Sequence, residues 1–129
     1  GEAMPAATTT TSLNFVVLRG ECSAAPEPRT LESGSRLTSL ALRVHTSAGT
    51  PRTSVPITWW DPPAWADALE AGDELVVMGV VRRRFFRTGG GAAAAKVEVE
   101  AQHVARASDR RRVATLVRRA TQVIETIEP

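Results

Sequence analysis

The sequence predicts an all-β domain of five strands, with a helix between the third and fourth strands and an added C-terminal amphipathic helix. Three observations predict this class. Segments with alternating apolar and polar residues recur along the chain, glycine and proline separate them, and the apolar spacing becomes helical near the C-terminus. At 129 residues the chain has the length of one domain with one small core.

The strands are predicted from this alternation. The five predicted strands span 13–21, 35–45, 53–60, 75–86 and 96–106. The segment 22–34 contains two prolines and a glycine and is predicted as a loop, and a turn is predicted over 48–51. Because proline has no amide hydrogen, Pro56 predicts that the third strand lies at an edge or is irregular.

A short helix is predicted after the third strand. Asp61, Pro62 and Pro63 are suited to cap and begin a helix that runs to Leu69, and Gly72 is suited to stop it. The resulting order, β-β-β-α-β-β, is that of a five-stranded OB-fold barrel.

The segment 109–127 is predicted as the additional helix. Its apolar residues form one stripe at helical spacing: Val113, Leu116, Val117, Ala120, Val123, Ile124 and Ile127. Arginines occupy much of the remaining surface. The stripe favours packing on the barrel or on a second copy of the chain, and a DNA-binding helix is the alternative.

The predicted organisation has three parts. Residues 1–11 are Ala- and Thr-rich without periodicity and are predicted as a disordered arm, with Gly1, Glu2 and Ala3 before Met4 typical of a cloning scar. The barrel domain spans 12–107 and the terminal helix 108–129.

The fourth strand is apolar on both of its faces. Val76, Met78 and Val80 alternate with a second apolar set, and only one set can fill the barrel. The other set should therefore be covered, either by the terminal helix or by the same strand of another subunit.

The end of the fourth strand combines arginine with aromatic residues. The segment is Arg82-Arg83-Arg84-Phe85-Phe86-Arg87, followed by Thr88 and three glycines. A guanidinium suits phosphate and an aromatic ring can stack on a base, which favours single-stranded nucleic acid, with RNA as an option beside DNA. The alternative is a solvated hairpin whose charges prevent edge-to-edge aggregation.

Other features narrow the function classes. No apolar run is long enough to span a membrane, and no signal-peptide pattern opens the chain. Cys22 is the single cysteine, which favours a reducing cytoplasm. His45 and His103 lack ligand spacing for a metal, and no catalytic constellation or cofactor motif is found, so the sequence predicts a binding protein rather than an enzyme.

Several segments together resemble the bacterial single-stranded DNA-binding protein family. Asn14-Phe15-Val16-Val17-Leu18-Arg19-Gly20 is similar to its opening Asn-x-hydrophobic-x-Leu-x-Gly. The segments 25–29, 33–34 and 40–44 follow in the family's order, and Glu70-Ala71-Gly72-Asp73-Glu74-Leu75-Val76-Val77-Met78-Gly79 is similar to its Lys-Gly-x-x-Val-x-Val-x-Gly segment. The resemblance covers about 13–106.

This resemblance implies an OB-fold that assembles as a homotetramer, with a dimer as the alternative, and binds single-stranded DNA with little sequence preference. It also implies a nucleoid-associated role in DNA replication, repair or recombination. The residues that fall at the family's stacking or basic positions, or beside them, are Trp59, Trp60, Arg82, Arg84, Phe86, Arg87, Arg43 and Arg52.

The chain also departs from the family. Ser54 stands about where a further tryptophan is common, and the chain ends in a basic helix instead of a Gly/Pro/Gln-rich linker with an acidic tip. Replication or repair proteins would then be contacted by another route, as in a divergent paralogue. The competing hypothesis is an OB-fold protein-interaction subunit that has lost or weakened DNA binding.

Overall fold

The computed structural model describes residues 9–45 and 51–129, which form one six-stranded sheet followed by an α-helix. The elements are β1 (Val16–Cys22), β2 (Glu27–Thr30), β3 (Arg36–Val44), β4 (Thr53–Trp60), a 3₁₀-helix (Ala64–Ala68), β5 (Glu74–Arg87), β6 (Ala93–Arg106) and α1 (Arg110–Ile124). The all-β class and the C-terminal helix are confirmed. The arm predicted over 1–11 lies mostly outside the described residues, and so does most of the turn predicted over 48–51.

The strand order in the sheet is β1-β5-β6-β4-β3-β2. The pairings are antiparallel except between β4 and β6, which are parallel over Ile57–Trp59 and Val99–Ala101. β1 also meets β3 at two residue pairs, Glu21 with Arg43 and Cys22 with Leu42. The sheet is not a closed barrel, because β2 extends it beyond β3 and the β1–β3 contact is so short. The sequence predicts five strands in a barrel, and the structure has six strands in a sheet that does not close.

β2 is the strand that the sequence prediction missed. Its residues, Glu27–Thr30, fall within the segment that the prolines and Gly34 predict as a loop. All four residues are exposed, and they pair with Arg36–Ser39 of β3. An exposed edge strand buries no face, so it leaves no periodic signal in the sequence.

The helix predicted over 61–69 is also corrected. The chain forms only a five-residue 3₁₀-helix whose preceding residue, Pro63, makes no side-chain cap. Asp61, predicted to cap the helix, instead adopts a φ of 48° and donates its backbone N–H to the Arg36 carbonyl at 2.8 Å. The residue that follows β4 is thus tied back to β3, and helical geometry does not begin until Ala64.

β4 has the predicted bounds, but it is not an edge strand. It lies between β3 and β6, and Pro56 immediately precedes the three residues that pair with β6. Residues 53–56 pair with β3 alone. The proline therefore sits where one side of the strand needs no partner, which explains how the sheet tolerates it.

Two apolar clusters lie on opposite sides of β5. Leu75 and Val77 are fully buried in the first cluster with Leu42 and Ile57. Val76 and Met78 are buried in a second cluster, under Leu116 and Ala120 of α1. The expectation that a second face of this strand is covered is confirmed for Val76 and Met78, and the terminal helix of the same chain provides the cover.

The stripe on α1 is only partly used. Leu116 and Ala120 are buried, whereas Val117 and Ile124 remain exposed. The helix ends at Ile124, before the predicted end at 127, and Ile127 beyond it is also exposed. Thr10, which the sequence assigned to the arm, exchanges backbone hydrogen bonds with this end of the chain: it donates to the Thr126 carbonyl and accepts from Glu128.

Candidate nucleic-acid interface

The β5–β6 hairpin projects beyond the rest of the sheet. β1 pairs with β5 only as far as Gly79, so within the described chain the later residues of β5 pair with β6 alone. We define the arm as residues 81–87 of β5 and 93–99 of β6. A tight turn closes it, in which the Gly91 N–H donates to the Thr88 carbonyl at 2.9 Å. Residues 81–87 are all exposed.

The base of the arm is fixed by Asn14 and Gly79. The Asn14 side chain donates to the Val81 carbonyl at 2.7 Å and accepts from the Val81 N–H at 2.8 Å, so it substitutes for a pairing strand. At Gly79 the backbone of β6 passes so close that a Cβ would clash with the Glu100 carbonyl oxygen. Glycine therefore permits the close strand approach from which the arm begins.

Arg82 and Arg84 are held by carboxylates of the neighbouring strand. Each bridges diagonally, to the residue two positions past its directly opposite partner: Arg82 to Glu100 at 2.8 Å and Arg84 to Glu98 at 2.9 Å. Such diagonal neighbours are within reach of long side chains. Glu98 is only 6% exposed and also accepts a hydrogen bond from the Thr58 hydroxyl.

These residues line a groove with aromatic rings. The groove has a volume of about 350 Å³. It is lined by Thr58, Trp60, Arg82, Arg83, Arg84, Phe85, Glu98 and Glu100, which we call the arm groove. Trp60 is 40% exposed at the end of β4, and Phe85 is 72% exposed on the arm. The fold thus brings Trp60 to the arm, although the two lie far apart in the sequence.

Arg83 and Phe85 contribute more than the sequence indicated. The Arg83 guanidinium lies 5.2 Å from the centre of the Phe85 ring, in a cation–π arrangement. No carboxylate pairs with Arg83 among the described residues. Arg83 is therefore the arginine of the groove whose charge is not offset by an acid in residues 9–45 and 51–129.

Trp59 is removed from the set of stacking candidates. It is 6% exposed, belongs to the main core and packs edge-on against Trp65 with ring centres 5.3 Å apart. Alternation along β4 places Trp59 on the core side with Ile57 and Trp60 on the outer side. This fold does not favour the stacking role expected of Trp59, because nearly all of its ring surface is enclosed in the core.

Phe86 and Arg87 lie farther along the arm. Phe86 is 45% exposed on the same strand face as Arg84, but it does not line the arm groove. Arg87 donates to the Gly91 carbonyl at 3.1 Å. Both remain accessible to a ligand that follows the arm towards its tip.

Arg43 and Arg52 belong to a different part of the surface. Both guanidinium groups bind Glu21, at 3.2 and 3.3 Å. Arg43 is six residues along β3 from Leu37, the partner of Trp60, which corresponds to about 20 Å. The structure does not bring these two arginines to the arm groove.

The partners that sequence reasoning missed are Glu98 and Glu100. The alternation Val97-Glu98-Val99-Glu100 is visible in the sequence, but the hairpin register decides which arginine each of these acids can reach. They reduce the net positive charge of the arm groove, so the site is a salt-bridged surface with exposed rings rather than a purely basic track.

Residues 9–45 and 51–129 contain no group of three His, Cys, Asp or Glu side chains placed to hold a metal ion. Cys22 is buried, and burial raises the pKa of its thiol. Across the same part of the chain, no helix has both the length and the apolar character needed to cross a membrane.

Comparisons with known proteins add no assignment. The chain matches no protein-family model, and no curated protein matches it significantly.

Proposed function

We propose that this protein binds single-stranded DNA with little sequence preference, through the arm groove. One observation carries the proposal: residues from different strands line one groove, and they include two with exposed rings, Trp60 and Phe85, and three arginines. Exposed aromatic rings beside cationic side chains are the combination that non-specific single-strand binding requires.

Stacking accounts for the weak sequence preference. Each base offers a similar face to Trp60 or Phe85, and stacking of this kind contributes about 1–3 kcal/mol per base. Duplex DNA would gain nothing from these rings, because its bases are already stacked and paired. The groove therefore suits a strand whose bases are free.

The arginines supply the phosphate contacts in two ways. Arg83 has no acid partner in the described chain and can bind a phosphate directly. Arg82 would exchange Glu100 for phosphate oxygens, because an exposed ion pair contributes only about 0.2–1 kcal/mol. Arg84 stays bound to Glu98, whose carboxylate is buried.

We infer that the architecture is an OB-fold. Its support is the chain order, the short helix between β4 and β5, and the two-residue contact of β1 with β3, which is compatible with the partly open barrel typical of that fold. The resemblance to single-stranded DNA-binding proteins carries the expectation of a homotetramer or dimer. Within residues 9–45 and 51–129, residues 16–20 of β1 pair with β5 alone, so their other edge, beside exposed Val17, is compatible with pairing to a second copy.

The test is a titration of labelled oligo(dT), oligo(rU) and duplex DNA of matched length, followed by fluorescence anisotropy. We expect oligo(dT) to bind, the duplex to bind far more weakly, and affinity to fall steeply with salt. Replacing Trp60, Arg83 and Phe85 together by alanine should weaken binding strongly, because it removes both rings of the arm groove and its arginine without an acid partner in the described chain. Equal affinity for duplex and single strands, or an unchanged triple variant, would refute the proposal, and preference for oligo(rU) would reassign the ligand to RNA.

A protein-interaction module is the second candidate. The observation that favours it is the neutralisation of Arg82 and Arg84 by acids of β6, together with apolar side chains exposed on the arm, such as Val97. Pull-down from lysate with and without nuclease separates the two functions. Partners that survive digestion, together with absent oligo(dT) binding, would favour this candidate.

A further inference from the structure

A second groove lies between β6 and α1. Its volume is about 410 Å³, and its polar lining includes His103 from β6 with Arg111, Arg112, Thr115 and Arg119 from α1. We call it the helix cleft. It shares no lining residue with the arm groove.

The helix cleft gathers positive charge without a matching acid in its lining. Arg112 is bound by Asp109 at 3.2 Å, but Arg111 and Arg119 have no carboxylate partner in residues 9–45 and 51–129. Burial, and after it the charge of Arg119, lower the pKa of His103. Cations that crowd one another in a cleft are relieved when an anion enters.

A bulge in β6 puts the helix cleft on the same side of the sheet as the arm groove. Gly79 pairs with Ala101 and Met78 with His103, so Gln102 is an extra residue. In a regular strand, side chains alternate between faces, so Glu100 and His103, three positions apart, would lie on opposite faces. The extra residue reverses this alternation, so that His103 lies on the same face as Glu100, about 10 Å further along β6.

We propose that the helix cleft binds a phosphate group of the same single strand whose bases occupy the arm groove. This inference rests on the proposed function and extends it, because it makes α1 part of the binding surface as well as a cover for β5. Arg111 and Arg119 would contact the phosphate oxygens, and the strand would run along the outer side of β6 from one groove to the other.

The test compares two double variants of the full-length chain with equal charge. Arg111→Gln/Arg119→Gln removes the cleft cations, and Arg110→Gln/Arg118→Gln removes two exposed arginines of α1 outside the cleft. Each is titrated with oligo(dT) of about 16 and about 4 nucleotides, the range of site sizes for an OB-fold. Circular dichroism and thermal unfolding check that both variants are folded.

We expect the cleft variant to lose affinity for the long oligonucleotide only. Its salt slope should become shallower by about 1.4, since each lost single-strand phosphate contact contributes about 0.7. Between about 50 and about 200 mM salt this corresponds to a difference of about 7-fold. The short oligonucleotide should bind the cleft variant as it binds the wild type, because it cannot span both grooves.

The outcomes separate this inference from the proposed function. If the wild-type protein binds no oligonucleotide, the proposed function is refuted, and the phosphate site in the helix cleft with it. If the wild type binds but both double variants lose the same affinity, only the phosphate site in the helix cleft is overturned.

The source of the phosphate is tested by the imidazole NMR signals of His103, with His45 as the reference. We expect oligo(dT) to shift His103 selectively. A shift with inorganic phosphate but not with the oligonucleotide would reassign the cleft to a free phosphate compound, and no shift with either would overturn it.

Discussion

Replacing Glu100 by glutamine should increase the affinity for single-stranded DNA. Glu100 bridges Arg82 at 2.8 Å on the wall of the arm groove, so it competes with phosphate for that guanidinium and repels the strand. Glu98 is a less suitable site for this test, because it is buried and also binds Thr58, so its removal would disturb the fold.

The magnitude follows from the exposure of the pair. The side chains of Arg82 and Glu100 are 62% and 25% exposed, so the bridge contributes about 0.2–1 kcal/mol. Removing a carboxylate about 7 Å from a phosphate in water relieves a further repulsion of about 0.6 kcal/mol. Together these effects correspond to an increase in affinity of about 4- to 14-fold.

The assay is anisotropy of labelled oligo(dT) over a range of salt. The salt slope of Glu100→Gln should be steeper by up to about 0.7, since Arg82 becomes free to displace counterions. Glu74→Gln is the matched control, because Glu74 also binds an exposed arginine, Arg19, but lies outside the arm groove. If Glu100→Gln binds no more tightly than Glu74→Gln while both remain folded, the competition argument is wrong.

Three further predictions concern the scaffold. Asn14→Ala removes both hydrogen bonds to Val81, so it should lower the free energy of unfolding by about 1–3 kcal/mol. Hydrogen exchange of the Val81 amide should become faster, and unchanged exchange would contradict the role of Asn14 at the base of the arm. Leu116→Ala should cost about 2–5 kcal/mol in urea unfolding, because Leu116 is buried over β5, whereas exposed Val117→Ala should change stability by less than about 0.5 kcal/mol. Burial and the charge of Arg119 lower the pKa of His103, so its imidazole binds a proton more readily in the unfolded chain than in the folded one. The free energy of unfolding should therefore fall as the pH drops through about 6.5. The variant His103→Gln should show a smaller fall.

Much of the fold was predictable because most strands bury one face. Alternation located the five longer strands to within a few residues, and β4 to its observed ends. β2 and the 3₁₀-helix were mispredicted for a common reason: their residues are held by neighbours in space, and neither has a periodic apolar face long enough to be recognised.

The candidate site was only partly predictable. The arm and its arginines follow from local sequence, and alternation along β4 would have separated exposed Trp60 from buried Trp59. The diagonal pairing with Glu98 and Glu100 depends on hairpin register, and the arrival of Trp60 at the arm depends on the sheet order. Neither of these is encoded in a local pattern.

Ultraviolet cross-linking of oligo(dT) to the unmodified protein, with the adducts located by peptide sequencing in a mass spectrometer, tests the central claim most directly. The account predicts adducts at Trp60 and Phe85, none at buried Trp59, and their loss at high salt. Adducts confined to residues outside the arm groove and the helix cleft, or none at protein concentrations that saturate the oligonucleotide, would contradict it.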